Sequence, residues 1–208
     1  MAKVILLNGS PKQNGCTARA LKEVADTLTQ NGVEAEIIHI GNKNIRGCIA
    51  CGKCKEAGRC VFSDEVNEVA VKFSSADGLI IGSPVYYGSP AGTALSFLDR
   101  LFYSTPFSKH LKVGAAVVSC RRGGNTATFD VLNKYFTISG MPVVSSTYWN
   151  QVHGFNAMDV ERDLEGLQTM RNLGRNMAFM IKAIKDAKDK YGAPKLETGT
   201  FTSFSDGK

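Results

Sequence analysis

The chain has 208 residues, of which 43% are hydrophobic and 21% charged, and its formal net charge is +6. That length is enough for one domain with a sizeable core, and no apolar run approaches the ~18 residues of a membrane span. The basic balance favours anionic ligands or acidic partners, but no Lys/Arg run interleaved with aromatics marks a nucleic-acid surface.

A first strand is expected over residues 3–8, followed by a helix with Leu21, Val24, Ala25 and Leu28 on one face. The second strand spans 34–40, and a cysteine-rich loop fills 41–62. Ser63 then reads as a helix N-cap, with Asp64 and Glu65 favourable in the first turn. Strands three and four span 77–83 and 113–119. Phe129, Leu132 and Phe136 share a helical face after strand four. A fifth strand is expected over 142–148. A last helix carries Leu167, Met170, Met177, Ile181 and Ile184 on one side. Residues 1–192 form one domain, and 193–208 a polar tail with Phe201 and Phe204. Strand–helix alternation of this kind implies βαβ units and an α/β, three-layer fold. Val/Ile-rich strands fit a parallel sheet covered on both faces. Five strands suggest the order 2-1-3-4-5, with ligand at their carboxyl ends.

Strand one runs into Gly9-Ser10-Pro11-Lys12-Gln13-Asn14-Gly15-Cys16-Thr17. The hydroxyls of Ser10 and Thr17, the Asn14 amide and free backbone N–H groups suit a phosphate monoester at a helix N-terminus. It is not a nucleotide P-loop: five residues separate the glycines, and Cys16 stands where lysine is required. The dinucleotide fingerprint is absent too. A plain strand-to-helix turn is the alternative.

Four of the six cysteines lie in Cys48-x-x-Cys51-x-x-Cys54-x5-Cys60. The chain's lack of a signal-peptide core reads as cytoplasmic, where cysteine clusters mean metal or redox chemistry more often than disulfides. Compact spacing of four thiolates suits a [4Fe-4S] cluster. Such a centre carries a net charge of about −2, and Arg46, Lys53, Lys55 and Arg59 lie in the same stretch. Zinc is a rival, although its knuckles usually come from separated segments. A loop with free thiols is another.

Ser10-Pro11-Lys12-x-Asn14-Gly15-x-Thr17 resembles the phosphate loop of the NADPH-dependent FMN reductases, which are flavodoxin-like proteins. The 82–89 segment, Gly-Ser-Pro-Val-Tyr-Tyr-Gly-Ser, is similar to their second flavin loop. The 119–124 segment, Ser-Cys-Arg-Arg-Gly-Gly, stands in the place of the third. The cysteine loop resembles that of the iron-sulfur flavoproteins. The resemblance implies a flavodoxin-like fold and FMN, with its phosphate on Ser10, Lys12, Asn14, Gly15, Cys16 and Thr17. It places the ring edge on Pro84, Val85, Tyr86, Tyr87 and Gly88, a tight loop. Ser119, Arg121, Gly123 and Gly124 complete the set, with Arg121 or Arg122 offsetting charge. Trp149, Asn150 and His153, after strand five, are further candidates. Cys16 and Cys120 read as packing residues rather than nucleophiles.

Two enzymatic readings follow. In one, NAD(P)H reduces FMN, which passes electrons to a small acceptor such as a quinone or flavin. In the other, a ferredoxin donates to the cluster, which feeds the flavin; a basic protein suits an acidic donor. A non-enzymatic flavin- or metal-binding regulator is the third reading. The resemblance also implies a homodimer or homotetramer.

Overall fold

Strand β1 (Ala2–Asn8) is buried from Val4 onward. Its side chains alternate between two cores, as the two-residue period of a strand requires. Val4 and Leu6 enter one, and Ile5 and Leu7 the other. The computed structural model that shows this describes residues 1–200, Thr202 and Phe204.

After β1 come α1 (Cys16–Gln30), β2 (Val33–His39), the short α2 (Cys54–Ala57) and α3 (Glu65–Ser75). Then follow β3 (Gly78–Tyr86), β4 (Ser89–Pro90), α4 (Gly92–Ser104), β5 (Val113–Cys120) and α5 (Asn125–Ile138). The chain ends its regular structure with β6 (Gln151–His153), α6 (Ala157–Arg162) and α7 (Leu164–Tyr191). The sheet order is β2-β1-β3-β5-β6, with β4 antiparallel beside β3. Without that hairpin strand it is the expected five-stranded parallel order. The fold is flavodoxin-like α/β.

Helices α1 and α7 cover one face through Leu21, Val24, Leu28, Met170, Leu173 and Met177. Helices α3, α4 and α5 cover the other through Val66, Phe73, Phe97, Leu101, Leu132 and Phe136. The α1–α7 approach is close because residue 174 lacks a side chain. A Cβ on Gly174 would lie 2.8 Å from Thr27 Cβ and 3.1 Å from the Val24 carbonyl.

Three expectations need correction. The fifth strand does not span 142–148. Only Val143 bridges Gly114 there, and the chain then leaves the sheet. Ser146 turns its hydroxyl to the Tyr148 carbonyl at 2.7 Å, a local bond that competes with a ladder. Pairing resumes when Val118 N donates to Asn150 O at 2.9 Å, and β6 lies beside Val118–Cys120. The cap of α3 is Asp64, not Ser63: its Oδ1 accepts from Val66 N at 3.2 Å. Pro84, Val85 and Tyr86 are strand, not loop. In the tail, 193–200 is exposed without regular structure, and Phe201 lies outside the described residues.

Gly174→Leu should therefore destabilise the fold by about 1–3 kcal/mol, the usual cost of overpacking. Urea unfolding should show a lower midpoint with unchanged slope.

Candidate functional site

Helices α1, α4 and α5 follow β1, the β3–β4 hairpin and β5, so all three begin at the carboxyl edge of the sheet. Their N-caps are Gly15, Ala91 and Gly124. None supplies a side-chain cap, and no first turn holds an acidic residue. By contrast, Asp64, Asn156 and Asp163 cap α3, α6 and α7 with their side chains. Three uncapped helix ends at one rim leave N–H groups and positive potential for an external anion. The donor chemistry fits a phosphorylated flavin.

The phosphate loop is organised from behind. Buried Asn8 accepts from Ser10 N at 3.1 Å and donates to Gln13 O at 3.3 Å. Ser10 Oγ accepts from Lys12 N at 3.2 Å. Lys12 and Asn14 are exposed, and Gly15 is buried at the helix start. Thr17, in the first turn of α1, is buried, with its hydroxyl 2.8 Å from Ser119 Oγ; Ser119 and Cys120 are the end of β5 rather than part of the third loop, which begins at Arg121. Cys16 is half-buried and its Sγ donates to Gly154 O at 3.4 Å. Burial pushes the Cys16 thiol up, and Cys120 likewise. Neither is set up as a thiolate nucleophile. Two residues that the motif does not contain also shape this loop. His39 Nε2 lies 2.7 Å from Ser10 O. Gly41 passes so close that a Cβ would sit 2.1 Å from the same oxygen. No local pattern announces either one, because β2 delivers them from about 30 residues away.

The second loop is a hairpin turn. Tyr87 and Gly88 have φ of 51° and 73°, the paired positive values of a two-residue turn that follows strand twist. Tyr86 and Tyr87 are exposed. Gly124 has φ 87°, and a Cβ there would meet Gly88 Cα and Val85 Cγ1, each at 2.9 Å. The second and third loops therefore touch through glycine. Arg121, Arg122 and Gly123 are exposed beside them. Trp149, Gln151 and His153 line a different pocket with Asp163 and Glu165, and Asn150 is buried.

All four loop cysteines line one small pocket, with Phe62, Arg100, Tyr103 and Ser104. Ala50, Gly52 and Gly58 take positive φ as the chain winds round it. Ala50 N donates to Cys48 Sγ at 3.4 Å. Asn67 clamps Cys60: its Oδ1 accepts from Cys60 N, and its Nδ2 donates to Cys60 O, both at 3.0 Å. The expected charge compensation moves. Arg46, Lys53, Lys55 and Arg59 are exposed. The buried cation is Arg100 of α4, which donates to Cys60 Sγ at 3.2 Å and pairs with Asp64. Burial lowers its proton affinity, but Asp64 and Cys60 more than restore it, so it stays charged. Among the described residues, no three Cys, His, Asp or Glu side chains are spaced to share a single metal ion. Four thiols around one pocket, with a buried cation, have the donor chemistry of a polynuclear thiolate centre.

The NADPH-dependent FMN reductase family model matches residues 2–156, which carry all three loops and the four cysteines. The chain belongs to this family. Within this FMN reductase family it falls in the iron-sulfur flavoprotein subgroup. It is 36% identical to an iron-sulfur flavoprotein of Methanocaldococcus jannaschii, a match covering 88% of this chain and 99% of that protein. It is 28% identical to another from Methanosarcina thermophila, over 90% and 100%. Among solved structures it resembles RosB with a bound 8-demethyl-8-formylriboflavin-5'-phosphate intermediate, at TM-score 0.73 and 12% identity over 97% and 92% of the chains. It also resembles a flavodoxin-fold WrbA-like protein of Agrobacterium tumefaciens, at TM-score 0.62 and 18% identity over 88% and 99%. At those identities the structural likeness concerns the fold. It places this FMN reductase family member in the flavodoxin-like class.

In metal-free protein at pH 7, Cys48 and Cys51 should alkylate first, since both are exposed. Cys16 and Cys120 should lag well behind, because a raised thiol pKa lowers the reactive thiolate fraction. Peptide mapping after timed iodoacetamide treatment reads the order.

Proposed function

We propose that this chain binds FMN at the carboxyl edge of its sheet and works as an FMN-dependent oxidoreductase. The observation that carries the reading is the convergence of three uncapped helix N-termini and three loops at one rim. In this reading the phosphate lies on Ser10–Thr17, where α1 offers N–H groups without a competing side chain. The hairpin from Pro84 to Gly88 holds the ring edge, and Gly124 lets the third loop close on it. Arg121 offsets negative charge. When bound, FMN supplies hydride and single-electron transfer, so the protein needs no acid–base triad.

The cysteine loop, in the same reading, holds a [4Fe-4S] cluster on Cys48, Cys51, Cys54 and Cys60, the entry point for electrons from an acidic, ferredoxin-like donor. The pocket shared by the four thiols supports it, as does the basic pI of about 9.0. A small acceptor such as a quinone or flavin takes the electrons, and the active form is a homodimer or homotetramer. A second reading has NAD(P)H reduce the flavin directly. The description of the matched family favours that donor.

Protein purified without oxygen should carry about one flavin, with about four irons and matching sulfide per chain. Flavin without iron would remove the cluster from the reading. Serine at Cys51 or Cys54 separates the donors: electron entry from reduced ferredoxin is lost, while direct oxidation of NAD(P)H survives. Thr17→Val should weaken FMN by about tenfold, the scale of one lost hydrogen bond. A fluorescence-quenching titration checks it, and unchanged affinity would count against the assigned phosphate site.

A further inference from the structure

Arg100 and Ser104 stand four residues apart on α4, and that spacing puts them on one helical face. Both line the pocket of the four cysteines. Arg100 is only 1% exposed. Its Nη1 and Nη2 donate to the two Asp64 oxygens at 2.7 and 2.8 Å. Nη1 also donates to Arg46 O at 3.1 Å, and the Phe62 ring covers the guanidinium at 4.9 Å. Asp64 by itself satisfies the need of a buried charge for a partner. Nε donates to Cys60 Sγ at 3.2 Å. A neutral thiol is a weak acceptor, whereas bonds to an ionised acceptor are roughly twice as strong.

Ser104 is the second, independent observation. Its hydroxyl is buried and has no hydrogen-bond partner among the described residues. A buried hydroxyl left unpaired is destabilising, so its place on this pocket points to an acceptor that occupies it.

We propose that α4 presents a two-donor face to the cysteine centre. Arg100 positions Cys60 and offsets the centre's negative charge, and Ser104 donates its hydroxyl to a sulfur. Hydrogen bonds to sulfur and local positive charge set the potential of such a centre, so this face holds the midpoint high. The proposal rests on the reading that the loop holds a cluster. The same helix begins at the flavin rim, two turns before Arg100, and so fixes the pocket against the hairpin.

The test is an anaerobic redox titration of reconstituted protein, followed by visible absorbance and EPR, in wild type, S104A, R100Q and R100K. S104A and R100Q should each move the cluster midpoint negative. For R100Q the expected change is about tenfold in the reduction equilibrium, or about 59 mV for one electron. R100K keeps the charge and should recover most of the midpoint. It should still lose iron to a chelator about tenfold faster, since one ammonium cannot replace a planar fork. Because R100Q leaves Asp64 unpaired, D64N/R100Q serves if the single variant does not fold, and it should release iron as fast. Hydrogen exchange over residues 58–62 of metal-free protein should also be faster in R100Q or the double variant. Midpoints unchanged in S104A and R100Q, with iron retained, would overturn the donor face. A wild type that takes up no iron would overturn the cluster reading instead, and exchange would still report whether Arg100 holds Cys60.

Discussion

Parallel pairing points neighbouring strands the same way, so the chain must return to the start of each next strand through a crossover on one face of the sheet or the other. In this chain that requirement sends α1, α4 and α5 away from the same edge, where β1, β3 and β5 end. Strands buried on both faces leave little freedom in where those ends lie. Everything at the rim inherits this placement. Thr17 at the start of α1 meets Ser119 at the end of β5, and Gly124 meets Gly88, because β1, β3 and β5 are held in register. Helices α1, α4 and α5, which start at this rim, lack side-chain caps, while α3, α6 and α7 have them. Capping would stabilise α1, α4 and α5, but it would consume the N–H groups that an anion needs.

The cysteine loop obeys a different economy. It has one four-residue helix, and none of its residues from 42 to 62 is fully buried. Its order comes from polar contacts to its neighbours. Asp64 acts twice: Oδ1 caps α3, and both oxygens grip Arg100 of α4. Asn67 holds Cys60 by its backbone, and Arg100 holds it by sulfur. The loop is thus pinned between two helices on the same face of the sheet. A buried ion pair is weak evidence of stability, since desolvation offsets much of its attraction. Here it fixes geometry, placing one cysteine and one cation against each other.

Much of the fold is legible in the sequence because burial writes a period into it. Leu21, Val24 and Leu28 mark α1, and Leu132 and Phe136 mark α5; all are buried as their spacing implies. The edge strand is the exception. Residues 142–148 have strand composition, but an edge position gives only one neighbour, and Ser146 draws the backbone into a local turn before pairing resumes at Gln151. In the second loop, Pro84 suggested an early turn. The strand runs two residues further because β1 has ended by Gly82, so Pro84 pairs β5 on one side only, and β4 then pairs Val85 and Tyr86. The four cysteines and the phosphate loop are contiguous motifs, so their presence needs no three-dimensional knowledge. Arg100 left a fainter trace, a charged residue within the apolar stripe of Phe97, Leu98 and Leu101.

By itself, then, the sequence determined the alternation of strands and helices, the four-cysteine motif and the composition of the loops that meet at the rim, since each is written in local pattern. Only the tertiary structure decided which groups stand behind them. His39 and Gly41 brace the phosphate loop from the neighbouring strand. Arg100 and Ser104, rather than the loop's own lysines and arginines, face the cysteines. These contacts join residues about 30 to 55 positions apart. They depend on how helices pack across a sheet, and no local spacing encodes that.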